Sequence, residues 1–193
     1  MNSEIIENVK MNIAKGLELF DKEAIRRNIE IWRPIAGYPN YSVSSFGNVK
    51  NVVTGKTLKP LLNKNGYYHV MLYNNSKVKT CKVHKLVANA LLQNPENKLC
   101  VDHKNNDRLD NNIKNLRFAT HRENNRNRSL SSNNTSGIKG ISWYKRDEKW
   151  SAHIKVNGKK IHIGYFENIQ DAHKARQLKA NELFGNFINI CEK

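Results

Sequence analysis

Four polar side chains in the middle of the chain follow a spacing that limits what the surrounding segment can be. Asp102 and His103 are adjacent, Asn115 follows after eleven residues, and Asn124 follows after eight more. Carboxylate and amide oxygens are hard ligands that suit Mg²⁺, Mn²⁺ or Ca²⁺, and an imidazole accepts a proton near neutral pH. These residue types together indicate metal-assisted hydrolysis.

The segment around these side chains predicts a strand, a loop, a second strand and a helix. Short apolar runs at 99–103 and 116–120 predict the two strands. Thr120 and Glu123 have the spacing of a capping box, which predicts that a helix begins there. Asn124 would then lie in the first turn of that helix.

The stretch from Leu99 to Arg128 resembles the motif of HNH endonucleases, the ββα-metal nucleases, and especially the branch found in phage intron-homing enzymes. The resemblance implies that Asp102 and Asn124 hold a metal ion, with Mg²⁺ as the cofactor and Mn²⁺ as an alternative. It also implies that His103 is the general base and that Asn115 braces the loop and the imidazole. This hypothesis requires Asp102 and Asn124 to converge on one ion and solvent to reach His103.

The resemblance implies a metal-dependent DNA endonuclease that leaves a 5′-phosphate and a 3′-hydroxyl, of a homing or mobile-element type from a phage or large virus. One active site cuts one strand, so a break in both strands requires a homodimer or two successive events. The alternative is a DNA-binding transcriptional regulator with an inactive HNH core. Arg117 and Arg122, close to the motif, are candidate DNA contacts.

The charge of the chain supports a polyanionic partner. Its 193 residues include 33 Lys or Arg and 17 Asp or Glu, and 17 of the basic but only 5 of the acidic side chains fall within 31–130. Cations that neutralise phosphates release counterions, so the charge predicts a polyanion. The resemblance to HNH endonucleases implies that this partner is double-stranded DNA.

Nothing in the sequence points to a membrane or to secretion. No apolar run approaches the roughly 20 residues that cross a bilayer, and residues 1–30 lack the pattern of a secretory signal. The three cysteines show no Cys-x-x-Cys pair, so we expect reduced thiols in an intracellular protein.

The part of the chain before the motif predicts two further segments. Residues 1–30 have the apolar spacing of an amphipathic helix that packs on the body of the protein or forms a dimer interface. Residues 31–75 alternate short apolar runs with Gly and Pro, which predicts a small β module. This module resembles the NUMOD segment that often precedes HNH motifs, on the matching residues Trp32, Pro34, Ile35, Tyr38, Tyr41, Val43, Ser44, Gly47 and Val49.

We assign the HNH core to residues 76–130, a flexible Ser/Asn-rich linker to 131–137 and a second domain to 138–193. At the start of a predicted helix in the core, His84 is expected to cap or pack, with a phosphate contact as the alternative. The fold class is α+β: a ββα-metal HNH core, preceded by the β module and followed by a three-stranded antiparallel sheet packed on one helix.

Residues 138–193 predict three strands and a helix, with a tight hairpin at Asn157-Gly158. Alternation predicts that Ile161, Ile163 and Tyr165 face the helix. The pattern resembles the DNA-binding domain of plant ethylene-response factors, in which the open face of the sheet enters the major groove. The resemblance implies that the groove-facing residues are Lys139, Ser142, Tyr144, Arg146, His153, Lys155, Lys160 and His162.

Overall fold

A computed structural model describes residues 2–127, 130 and 133–185. Two compact units divide these residues. Unit 1 contains residues 2–103 and 107–118, and unit 2 contains the described residues among 104–106 and 119–185. Residues 131 and 132 of the predicted linker and residues 186–193 of the predicted last domain lie outside the described residues.

Unit 1 has two helices and two three-stranded antiparallel sheets, in the orders β1-β2-β3 and β4-β5-β6. Its elements are α1 (Asn2–Arg26), β1 (Trp32–Ile35), β2 (Tyr38–Ser44), β3 (Val49–Asn51), β4 (Leu61–Leu62), β5 (Tyr68–Asn74), β6 (Lys77–Lys82), α2 (Val83–Leu91) and β7 (Cys100–His103). A 3₁₀ turn (Ile113–Asn115) leads into β8 (Leu116–Ala119), which pairs with β7. The short strands that flank the predicted site are thus present.

One hydrophobic core joins the predicted β module to the predicted HNH core. Val43 and Leu72 come from the sheets, Val87 from α2, and Ile113 and Leu116 from the segment that follows the site loop, and all five are buried in the same cluster. Because the two segments share their buried apolar surface, each depends on the other for stability. The sequence-based boundary at residue 75 therefore does not separate two independent cores.

Several described apolar side chains of helix α1 are exposed. Leu17, Leu19 and Phe20 are each more than half exposed, whereas Ala24 is buried and Ile25 packs on the core. Of the two roles expected for this helix, packing on the body of unit 1 is therefore seen at its C-terminal end. None of the described helices is long and apolar enough to span a membrane.

Unit 2 contains α3 (His121–Arg126), β9 (Ile141–Tyr144), β10 (Lys149–Val156), β11 (Lys159–Phe166) and α4 (Ile169–Phe184). The three strands form an antiparallel sheet in the order β9-β10-β11, with α4 against one face. Asn157 and Gly158 have φ values of 49° and 83°, the left-handed conformations that a two-residue hairpin requires. With these elements, the predicted α+β class is confirmed in the described residues.

A β-bulge changes the predicted faces of β11. Ala152 pairs with Gly164 but His153 pairs with His162, so Ile163 is an extra residue in the ladder. The bulge moves Tyr165 to the open face, where its ring contacts Tyr144 at 5.1 Å. The prediction that Tyr165 faces the helix is therefore wrong, because alternation cannot reveal a one-residue insertion.

Candidate active site

Asp102 and His103 end strand β7, and both are buried. The Asp102 carboxylate is held by Arg117 on the neighbouring strand β8: Nε and Nη2 of Arg117 lie 2.9 and 2.8 Å from Oδ2. One hydrogen bond, from Nε, and a close charge contact from Nη2 to the same oxygen hold the carboxylate in place. A DNA contact by Arg117, as the sequence predicts, would have to compete with this buried ion pair.

The loop after β7 is braced by its own asparagines. The Asn115 side chain donates from Nδ2 to the carbonyl oxygen of Asp110 at 2.8 Å. Asn112 caps the 3₁₀ turn by accepting a hydrogen bond from the Lys114 backbone N–H at 3.0 Å. These contacts support the predicted role of Asn115 as the brace of the loop.

A different asparagine contacts the imidazole. Oδ1 of Asn111 lies 3.3 Å from Nε2 of His103, and both residues are about 5% exposed. Asn111 is not predicted from the sequence, because its place within an Asn/Asp-rich loop gives no signal that separates it from Asn112 or Asn115. His103 is 5% exposed, so the solvent access that the predicted base requires is small but present.

Burial also sets the protonation of His103. Loss of solvent lowers its pKa, and this effect outweighs the hydrogen bond to Asn111 and the nearby charge of Asp102, which raise it. A lower pKa favours the neutral imidazole at physiological pH. The neutral ring is the form that can accept a proton from water.

Two aromatic side chains stand beside His103. The His84 ring lies 5.0 Å from the His103 ring at an interplanar angle of 75°, and Tyr67 lies 4.9 Å from His84 and 6.0 Å from His103. Two cations contact Tyr67: Nζ of Lys82 at 4.8 Å and the guanidinium of Arg108 at 5.1 Å from the ring centre. Local sequence patterns gave no sign of this cluster, since its members come from four separate segments.

The turn between β2 and β3 supports the site loop from behind. The Ser45 carbonyl oxygen accepts a hydrogen bond from the Ile113 backbone N–H at 2.8 Å. Gly47 has φ +90°, and a Cβ at this position would lie 2.9 Å from Cβ of Asn111. The close approach requires glycine, so the β module directly shapes the loop that contacts His103.

Asn124 lies in the first turn of α3, as predicted. Thr120 and Glu123 form the predicted capping box: Oε2 of Glu123 accepts from the Thr120 N–H at 2.6 Å, and Oγ1 of Thr120 accepts from the Glu123 N–H at 3.2 Å. Because Asn124 belongs to unit 2 and Asp102 to unit 1, their sharing of one metal ion stays a prediction.

Most of the predicted DNA contacts of unit 2 lie on the open face of its sheet. Neighbouring strands place three pairs opposite one another: Ser142 with Ser151, His153 with His162, and Lys155 with Lys160. The guanidinium of Arg146 lies 5.3 Å from the ring centre of Tyr144 and also bonds Asp147. A cleft of about 560 Å³ in unit 2 is lined by several of the predicted contacts, among them Arg122, Lys139, His153 and Lys155.

Comparison with known families places this site in context. Residues 82–126 match the model described as HNH endonuclease, and residues 30–73 match the NUMOD4 motif. Residues 82–126 are therefore similar to an HNH endonuclease motif. The match includes Asp102, His103, Asn115 and Asn124, and it begins two residues before His84.

Relatives come from a large virus and from phages. An uncharacterized HNH endonuclease of Acanthamoeba polyphaga mimivirus is 43% identical over 52% of this chain and 26% of its own length, and a second is 35% identical over 73% and 39%. The DNA endonuclease I-HmuI of Bacillus phage SP01 is 40% identical over 48% of this chain and 54% of its own length. The chain thus spans about half or less of these relatives.

A solved structure of the HNH homing endonuclease I-HmuI, reported for DNA binding and cleavage, is similar at 29% identity, with a TM-score of 0.49 over 80% of this chain and 83% of that chain.

Proposed function

We propose that the protein is a metal-dependent DNA endonuclease that hydrolyses a phosphodiester to a 5′-phosphate and a 3′-hydroxyl. The observation that carries this proposal is the placement of Asp102 and His103 side by side at the end of β7, within the segment that matches the HNH model. This match favours a nuclease over a DNA-binding regulator with an inactive core.

The proposed ligands suit a hard divalent cation. Asp102 offers a carboxylate and Asn124 an amide oxygen, and neither is a soft sulfur ligand that would favour zinc. Bound Mg²⁺ or Mn²⁺ would supply positive charge against the negative charge that develops on the phosphate as its bond breaks. The contribution of this chain is Arg117, which holds the Asp102 carboxylate in one orientation.

His103 is proposed to remove a proton from the attacking water. Its neutral form is favoured because burial lowers its pKa, and Asn111 at 3.3 Å limits rotation of the ring. Asn115 does not contact His103 in this proposal but supports the loop that carries Asn111, by donating a hydrogen bond to the Asp110 carbonyl oxygen. A shift of the loop would displace Asn111 and the ring together.

We infer that unit 2 binds duplex DNA in the manner of the plant ethylene-response-factor domain. The paired side chains on the open face of its sheet support this, since strands in the major groove present side chains to bases and phosphates. Lysines in place of arginines reduce base specificity, because lysine lacks the planar fork that reads guanine.

The salt dependence of binding tests this surface. Lys155→Gln and Lys160→Gln should each lower the slope of log K against log salt by about 0.9, the effect of one lost phosphate contact. Lys174→Gln, at an exposed position on α4, is the matched control and should leave the slope unchanged. Unchanged slopes in all three variants would remove the open face from the DNA interface.

The phage and mimivirus origin of the relatives supports a homing or mobile-element role. We propose that one chain nicks one strand, so that linear plasmid appears only after nicked plasmid unless two chains act together as a homodimer.

A plasmid-nicking assay tests the proposed function. The wild-type chain should convert supercoiled DNA to nicked circles with Mg²⁺ and not with EDTA. His103→Ala should bind DNA but not cut it, while His173→Ala, a histidine on α4 of unit 2, should cut at the wild-type rate. Ligation of the nicks by DNA ligase would verify the 5′-phosphate and 3′-hydroxyl ends. Nicking in EDTA, or by His103→Ala at the wild-type rate, would overturn the proposal.

A further inference from the structure

A second buried histidine contacts the proposed base, and the hydrolysis proposed above gives it no task. His84 is the second residue of α2 and is 4% exposed. The helix that carries it is fixed in the core of unit 1, because Val83, Val87 and Ala88 are at most 1% exposed. The backbone of His84 therefore has little freedom to move.

We propose that His84 is a positioning residue for the general base: its ring, together with that of Tyr67, fixes the plane of the His103 imidazole. This inference rests on the proposed function, because it concerns the orientation of the proposed base. The three rings form a closed set, with centres 4.9 to 6.0 Å apart.

The geometry of the contact explains why an aromatic ring is needed. The angle of 75° between His84 and His103 is that of an edge-to-face pair, in which the electropositive edge of one ring meets the electron-rich face of the other. Such a pair restricts rotation of the His103 ring about its Cβ–Cγ bond and also restricts displacement of the ring. An aliphatic side chain would fill the volume without this directional contact.

Tyr67 is the third ring of the set and contacts both histidines. Lys82 and Arg108 both contact its ring, and Arg108 is itself anchored by donation from Nη1 to the Asn65 carbonyl oxygen at 2.8 Å. The Tyr67 ring, which contacts both histidines, is therefore held by two cations from different parts of unit 1. Sideways movement of either imidazole toward Tyr67 is limited.

His84 does not take part in proton transfer in this proposal. Its Nδ1 is buried and has no hydrogen-bond partner among the described residues, and burial lowers its pKa to about 3. The ring therefore stays neutral wherever the enzyme is folded near neutral pH. Its contribution is shape and orientation.

Single-turnover cleavage of plasmid at saturating protein tests the inference on the full chain. His84→Ala should cut about 10- to 100-fold more slowly, the effect of a reacting group displaced by about 1 Å, with unchanged DNA affinity. His84→Leu, which keeps the volume and guards against failure to fold, should be slowed in the same way. His84→Phe, which keeps the ring, should cut within about 3-fold of the wild-type rate.

Val87→Ala is the matched structural control. It removes a fully buried side chain one turn further along α2, so it should lower the melting temperature without slowing cleavage. The inference would be overturned if His84→Ala and His84→Leu cut as fast as Val87→Ala. It would also be overturned if the cleavage rate of His84→Phe fell as much as that of His84→Ala. If the wild-type chain itself does not cut with Mg²⁺, the proposed function fails. If the wild type cuts and the His84 variants cut at the same rate as the wild type, this inference alone fails.

Discussion

Replacing His84 with phenylalanine should make unit 1 less sensitive to acid. In the folded chain, burial lowers the pKa of His84 to about 3, with smaller effects from His103, Lys82 and Lys85. In the unfolded chain the imidazole titrates near its ordinary pKa of about 6.5. Between these two values the unfolded state binds one proton more than the folded state, so stability falls as the pH falls.

The size of the effect follows from the two pKa values. At about pH 5 the unfolded imidazole is almost fully protonated and the folded one is not, which lowers the free energy of unfolding by about 2 kcal/mol relative to pH 7.5. Phenylalanine has no proton to bind, so His84→Phe should lose about 2 kcal/mol less than the wild type on the same acidification. Other groups titrate in both proteins, and their contributions largely cancel.

Urea denaturation at the two pH values measures this difference. After equilibration in urea, a hydrogen-exchange pulse at one fixed pH, read by mass spectrometry on peptides within 67–92, follows unit 1 separately from unit 2. A packing change in His84→Phe alters stability equally at both pH values and drops out of the comparison. Equal losses of stability in the wild type and the variant would refute the burial of a neutral imidazole at this position.

Two further predictions concern the site loop and the pair beside it. Arg117→Met should destabilise unit 1 by about 3 kcal/mol, because it removes the arginine that is paired with the buried Asp102 carboxylate. A double-mutant cycle with Asp102→Asn in urea should give a coupling of at least about 1 kcal/mol, and a coupling near zero would contradict the pair. Gly47→Ala should cost about 1–3 kcal/mol more than Gly55→Ala, because both have positive φ but only the first places a Cβ 2.9 Å from Asn111. It should also slow nicking, whereas Gly55→Ala should not; equal stability and equal rates would show that the loop does not depend on this contact.

The parts of the fold that were predictable from the sequence are those fixed by local chemistry. The strands around the site follow from short apolar runs, and the start of α3 follows from Thr120 and Glu123, which satisfy one another's backbone N–H groups. The hairpin at Asn157-Gly158 follows from the positive φ that both residues tolerate. Such features need no knowledge of the rest of the chain.

The features that the sequence did not reveal depend on contacts between distant segments. Asn111 resembles its neighbours in the loop and is distinguished only by its approach to His103. The partner of Arg117 is on another strand, and His84 meets His103 only because α2 and β7 pack in the same unit. Propensity and spacing carry no information about which side chains meet across a core.

Mn²⁺ binding by the wild-type chain and three variants, followed by electron paramagnetic resonance of the free ion, tests most directly whether Asp102 and Asn124 hold one metal ion. Asp102→Ala and Asn124→Ala should each weaken Mn²⁺ binding by at least about 10-fold. Asn125→Ala, the next position on the same helix, should bind as the wild type does. Wild-type affinity in Asn124→Ala would contradict the shared site and, with it, the proposed hydrolytic centre.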